Sequence, residues 1–193
     1  RKLLDEADSK IKIIAKIEKP EAVDNIDGII KTSQGIMVAR GDLGVEVPME
    51  RLPMIQKKII KKCIQKSRPV IVATQMMDSM TTNPSPTRAE ITDVANAVLD
   101  GTDAVMLSGE TATGKHPVEV VKAMTKIVIE AEKHYEWHGK RPKPDQKSKT
   151  FVSDVVCFNA AKTATDIKAK AIVGMTISGY TAFKMSSYRP KCK

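Results

Sequence analysis

Aromatic residues are scarce. Phe, Trp and Tyr make up 4% of the 193 residues, with a single Trp. Any core must therefore be aliphatic, and nucleic-acid bases would find few side chains to stack on. Cysteine is scarce too: Cys63, Cys157 and Cys192 are odd in number, far apart and without a CxxC pair. That excludes a disulfide framework, offers no zinc spacing and fits a reducing compartment. His116, His134 and His138 lack metal-ligand spacing and read as solvated surface residues. No apolar run approaches the roughly 18 residues of a membrane span. The opening RKLLDE is no signal peptide. It reads as the tail of a helix already under way, and with no initiator Met the expectation is a piece of a longer chain.

Charge is plentiful and biased. Lys plus Arg is 32 against 23 Asp plus Glu, a net charge of +9. That excess permits polyanions without distinguishing nucleic acid from a nucleotide or a phosphorylated metabolite. Hydrophobic residues at 41% give globular composition. The strongest pattern is a strand-then-helix rhythm. Short apolar runs at Ile13–Ile17, Ile36–Ala39, Val70–Ala73 and Ala104–Leu107 read as buried strands. Helical periodicity follows each, at Pro20–Thr32, Glu50–Lys66, Thr87–Leu99 and His116–Trp137. Strands apolar on both faces and alternating with helices predict an α/β fold with a parallel sheet. Pro20 and Pro117 suit first helical positions. Thr87 and Glu90 have capping-box spacing, and Asp100-Gly101 predicts a helix stop.

A composition change falls at Gly139–Lys149, which is rich in Pro, Lys and Arg and almost devoid of apolar residues. It reads as an exposed linker. Beyond it the sequence predicts a helix at Val152–Ile167, a strand at Ala171–Met175, a turn at Thr176–Gly179 and the start of another helix. This second unit reads as barely begun.

Chemistry in parallel α/β folds gathers at the carboxyl ends of strands. The first strand ends Lys16-Ile17-Glu18, so Lys16 and Glu18 share a face. If buried, such groups must pair with each other, bind a metal, or do both. The second ends Arg40-Gly41-Asp42, where Asp42 could join Glu18 at a hard cation such as Mg²⁺ and Gly41 admits a close ligand. Its RGD lettering is accidental in such a setting. The third ends at Thr74 and the fourth at Ser108-Gly109-Glu110. The text GETATGK approaches a phosphate-binding loop, but His116 stands where Ser or Thr should hold Mg²⁺, and Glu110 would repel a phosphate. Lys16, Glu18, Asp42, Thr74 and Ser108 together suggest a site for a divalent metal and an anionic, phosphorylated substrate.

At these residues a family resemblance enters. IAKIE (Ile14–Glu18), GIMVARGDLG (Gly35–Gly44), ATQM (Ala73–Met76), PTRAEITDVANA (Pro86–Ala97) and MLSGETA (Met106–Ala112) resemble pyruvate kinase in order along nearly the whole chain. The resemblance implies phosphoryl transfer from phosphoenolpyruvate to ADP. It implies a (β/α)₈ TIM-type catalytic barrel, of which this chain would supply the second half, followed by the start of an α/β C-terminal regulatory domain. The implied boundaries are 1–138, a linker at 139–150, and 151–193. Lys16 resembles the lysine that neutralises the transferring phosphoryl group. Glu18 and Asp42 resemble the ligands of Mg²⁺ (or Mn²⁺). Gly41 and Asp42 resemble the turn that holds the substrate carboxylate, and Thr74 the hydroxyl beside the substrate methylene. Ser108 resembles part of the protonating relay, and Arg40 a support for the site near a subunit interface. Thr176, Ser178, Gly179 and Thr181 resemble a loop for a phosphorylated allosteric effector, although Ile177 and Tyr180 stand where some members carry basic residues. A cytoplasmic homotetramer is implied, as is K⁺ dependence with ligands outside this chain. No nucleic-acid or membrane partner is expected.

Two rival readings remain at this level. One is a Mg²⁺-dependent lyase or aldolase working through a pyruvate enolate on a similar barrel. The other is a basic nucleic-acid-binding module, although a solvated helix face and linker account better for the lysines. Half a barrel leaves two sheet edges unpaired. The 193-residue chain alone is therefore expected to be inactive. ADP-dependent pyruvate formation by the verified chain, followed in a coupled assay, would overturn that expectation.

Overall fold

The computed structural model describes residues 2–134 and 143–192. Strands β1 (Ile14–Ile17), β2 (Gly35–Ala39), β3 (Val70–Ala73) and β4 (Ala104–Met106) form one parallel sheet in the order β1-β2-β3-β4. Strand order equals chain order, as in a barrel segment; a doubly wound sheet would reverse direction partway. The register aligns Ile17, Val38, Val72 and Val105 in one row across the sheet. The first three are fully buried, and Val105 packs against the same core.

Helices cover that row. A short α1 (Lys2–Glu6) precedes β1. Between β1 and β2 run α2 (Pro20–Asp24) and α3 (Ile26–Thr32). One helix was expected there. It breaks at Asn25, whose backbone leaves the helical region at φ -96° and ψ 17° and whose side chain joins its N–H in donating to the Glu21 carbonyl. Directly at the end of β2, where only a turn is expected, stands α4 (Arg40–Glu46). Its two glycines hide the helix from propensity, and burial of Leu43 holds it. A 3₁₀ turn at Met49–Arg51 opens the expected long helix, whose regular part is α5 (Leu52–Gln65). After β3, a 3₁₀ turn at Asp78–Thr81 leads to α6 (Arg88–Asp100). After β4 come α7 (Gly109–Ala112) and α8 (Pro117–Lys133). The end of the helix expected to reach Trp137, together with His138, lies outside the described residues.

The core is aliphatic, as composition requires. Ile26, Ile30, Ile59, Ile60, Cys63, Val94, Ala97 and Val120 from the helices close on β1–β4. Each large aliphatic side chain buried this way contributes about 1.5–3 kcal/mol. The other sheet face is less covered than expected: Ile14 is 53% exposed, and Ala104 is exposed as well. The reading of all strands as buried on both faces therefore fails for β1 and β4. They are the sheet's edges, and helices pack on one side only.

The chain separates into two units, Arg1–Tyr135 and Glu136–Lys193. In the second, α9 (Phe151–Asp166) and α10 (Tyr180–Ser187) pack together. Cys157, Ala161 and Tyr188 form a small core, with Phe158 edge-on to Tyr188 at 5.4 Å between ring centroids. The strand expected at Ala171–Met175 does not form. A strand needs a neighbour for its ladder, and Val173 and Met175 lie almost fully exposed. Of the linker expected at 139–150, residues 139–142 lie outside the described residues.

The expected caps form. Thr87 and Glu90 make both capping-box bonds, and Gly101 closes α6 in the left-handed region at φ 96°. Glu90 also accepts from the Ser79 backbone and hydroxyl, tying the 3₁₀ turn to α6. Burial raises the Glu90 pKa, but the hydrogen bonds from Ser79 and Thr87 outweigh it and leave it lowered. A lowered carboxyl contributes stability above its unfolded value near 4.5, lost as pH falls through the folded value. Glu90→Gln is expected to destabilise by about 1–2 kcal/mol at neutral pH and to flatten the acid limb of stability. Urea unfolding between pH 7 and pH 3 measures both; equal slopes for variant and parent would refute the assignment.

Candidate functional site

The parallel register brings all four strand ends to one edge of the sheet. Lys16 pairs in register with Met37, and Ile17 with Val38, so Glu18 follows on the face opposite the helix-covered core. There the Lys16 ammonium forms an ion pair with the Glu18 carboxylate. Direct polar contact with Glu18 raises the Lys16 pKa, as does the Glu18 charge; desolvation opposes this and Asp42 adds to it. Lys16 therefore stays an ammonium at neutral pH. The pair is less buried than its strand suggested, with side chains 55% and 34% exposed, because β1 is an edge. Burial alone therefore does not force the pairing.

The second strand delivers Arg40, Gly41 and Asp42 in the first turn of α4. The third ends in a backbone that residues other than glycine seldom adopt: Thr74 has φ 76° and Gln75 φ 52°. Such residues cost about 1–3 kcal/mol each and persist only where their surroundings impose them. Arg40 imposes them here. Its guanidinium donates to the Thr74 carbonyl from Nε at 3.2 Å and from Nη2 at 2.8 Å, and to the Gln75 carbonyl at 3.2 Å. Nη1 binds Asp93 of α6 at 2.6 Å. The Arg40 side chain is 12% exposed, so these bonds act in a partly dry environment. Gly41 is required by the same packing: a Cβ there would lie 2.6 Å from Thr74 Cγ2.

The fourth end carries Ser108, held through Glu110. Glu110 is 2% exposed. Its carboxylate accepts from Ser108 N at 2.7 Å and from Met77 N at 3.2 Å, joining the loops after β4 and β3. Sequence reading saw in Glu110 only a charge that would repel phosphate. Its side chain instead turns inward to two backbone donors. No local pattern marks it, since Met77 lies 33 residues away.

Among the described residues no group of three or more His, Cys, Asp and Glu side chains could hold a metal. The donors expected from the sequence are the two carboxylates Glu18 and Asp42, and two carboxylates suit a hard cation that keeps waters or other oxygens. Glu18 Oε1 is enclosed, and the Lys16 ammonium is the charge that meets it. The carboxylate lone pairs that Lys16 leaves open suit a hard metal ion. The residues of the suggested effector loop lie in the second unit. Thr176 Oγ1 accepts from Gly179 N at 3.0 Å, and Ser178 Oγ from Tyr180 N at 3.3 Å, folding the turn that leads through Gly179 at φ 79° into α10. The Thr181 carbonyl accepts from Cys157 Sγ at 3.8 Å.

Comparison with known proteins agrees over both units. The family model described as pyruvate kinase, barrel domain, matches residues 1–121, and that described as pyruvate kinase, alpha/beta domain, matches 154–193. The chain is 53% identical over 192 residues to a pyruvate kinase of Clostridium acetobutylicum, covering 99% of this chain and 41% of that protein. It is 52% identical over 192 residues to one of Geobacillus stearothermophilus, covering 99% of this chain and 33% of that protein. A crystal structure of a pyruvate kinase from Cryptosporidium parvum superposes with TM-score 0.83 at 46% identity, covering 95% of this chain and 38% of that one. The chain thus spans well under half the length of these relatives.

The Gly41–Thr74 contact gives a direct test. Gly41→Ala is expected to cost about 1–3 kcal/mol through overpacking. Thr74→Ser removes Cγ2, so the double variant recovers most of that loss. Additive losses in a chemical-denaturation double-mutant cycle would show that the contact does not set the packing.

Proposed function

Because the chain belongs to the pyruvate kinase family, we propose that it supplies part of the site of an enzyme that transfers a phosphoryl group from phosphoenolpyruvate to ADP. One observation carries the reading: Lys16, Glu18, Asp42 and the Arg40-clamped Thr74 stand at one edge of one parallel sheet. An ammonium, two carboxylates and a hydroxyl are the groups this chemistry needs, and the family supplies the substrate.

Each residue has a physical task. Lys16, kept charged by Glu18, stabilises negative charge on the phosphoryl group as its bond to the enol oxygen breaks and its bond to the ADP oxygen forms. The N–H groups in the first turn of α4, at Gly41 and Asp42, receive the substrate carboxylate. Glu18 and Asp42 hold Mg²⁺ or Mn²⁺, which when bound neutralises the substrate oxygens and orients them. After transfer an enolate remains and takes a proton at its methylene carbon. Thr74 faces that carbon, and Ser108, fixed by Glu110, belongs to the relay that delivers the proton. Arg40 fixes the turn that aims Thr74.

The reading extends to the whole protein. Residues 1–138 belong to the barrel, 139–150 to a linker, and 151–193 to the start of the regulatory domain, in keeping with the family matches. K⁺ is required through ligands outside this chain. Thr176, Ser178, Gly179 and Thr181 receive an effector phosphate, which displaces the Thr176 and Ser178 hydroxyls from their bonds in the turn. The assembly is a cytoplasmic homotetramer. No described helix is long and apolar enough to cross a membrane.

The test is Mn²⁺ binding by electron paramagnetic resonance on the full-length protein and its Glu18→Gln variant, with and without phosphoenolpyruvate. Phosphoenolpyruvate is expected to tighten binding in the parent, and the variant is expected to lose that gain with at least a hundredfold fall in kcat. A folded variant that binds and turns over like its parent would overturn the assignment of Glu18.

A further inference from the structure

Away from the strand ends, α5 carries a second charged feature. Arg51 just before α5, Ile55, Lys58 and Lys62 within it, and Lys66 just after it recur at helical spacing and so line one edge. That edge faces α3: Lys62 forms an ion pair with Asp27 of α3 at 2.5 Å. The charges of Lys66 and Lys58 also act on Asp27. The bond from Lys62 and the combined charges hold Asp27 below its ordinary pKa, against partial desolvation. Positive charge remains in excess along the edge.

The same edge begins in a groove. A cavity of about 420 Å³ lies between α2 and the start of α5, lined by the apolar Val23, Val47, Met54 and Ile55 and by Arg51 and Lys58. Met54 is 67% exposed, a large apolar side chain open to water. Lys58 belongs to both features, which makes them one continuous surface.

We propose that this surface docks an acidic, extended segment of a partner protein, which seats an apolar side chain in the groove and lays carboxylates along Lys58, Lys62 and Lys66. The spacing fits. Lysines four residues apart on a helix repeat every ~6 Å. Alternate residues of an extended peptide repeat every ~6.6 Å. A nucleic acid fits worse. The groove, which Asp24 and Glu50 also line, has no aromatic side chain for a base to stack on and offers an apolar seat instead. The proposal is independent of the phosphoryl-transfer reading.

The probe is a fluorescein-labelled peptide with a Leu pair followed by Glu at alternate positions. Its anisotropy is titrated with the full-length protein at about 50 and about 200 mM salt. Binding is expected to weaken with salt, to fall at least tenfold in Lys58→Glu/Lys66→Glu, and to fall several-fold when Ser replaces the Leu pair. Lys58→Gln/Lys66→Gln serves if charge reversal disturbs folding, as judged by circular dichroism; a smaller loss is then expected. No binding at the lower salt, or binding indifferent to both variants, overturns the proposal. Equal binding of the Leu-free peptide or of a single-stranded oligonucleotide, with the same loss in the variant, also overturns it, reducing the surface to a general polyanion patch.

Discussion

A single parallel register ties the molecule together. Ile17, Val38, Val72 and Val105 form one row of the sheet, and the helices close over the face that carries it. Because side chains alternate, this fixes Lys16 and Glu18 on the opposite face. A slip of one residue in β1 would send Lys16 into the aliphatic core and is therefore strongly disfavoured. The register also sets every carboxyl end at one edge. Packing energy in the core thus decides which polar groups meet at the site.

Two charged side chains then do at that edge what hydrophobic contact cannot. Arg40 reaches from the end of β2 to two carbonyls beyond β3 and to Asp93 on α6. Glu110 reaches from α7 to backbone donors beyond β4 and β3. Each joins neighbouring strand ends through directional bonds, strengthened by charge and limited exposure. Thr74 can hold its left-handed conformation because Arg40 and the Gly41 contact leave it little alternative. Strain held in this way keeps the Thr74 hydroxyl in one place before any ligand arrives.

The charged surface of α5 illustrates a separate point. Read as sequence, its lysines are a solvated helix face. In the fold, Lys57 pairs with Asp100 of α6 and Lys62 with Asp27 of α3, so part of that face joins adjacent βα units. Exposed pairs of this kind contribute at most about 1 kcal/mol each. Their larger consequence is to leave the remaining lysines beside an apolar groove.

The sequence by itself determined what depends on near neighbours. Hydrophobic period marked the strands and most helices, the Thr87–Glu90 spacing marked a capping box three residues long, and the abrupt polar ends of the strands marked the candidate site. Tertiary structure decided what depends on distant partners. The bonds of Arg40 to Thr74 and Asp93 cross 34 and 53 residues, and no local pattern announces them. Helix α4 forms despite Gly41 and Gly44 because Leu43 is buried by segments far along the chain. Ala171–Met175 has strand-like residues but no ladder partner among the described residues, so it stays irregular. The exposure of β1 likewise reflects its place at a sheet edge. Local free energy selects elements, whereas burial, pairing and strain are settled only when remote segments meet.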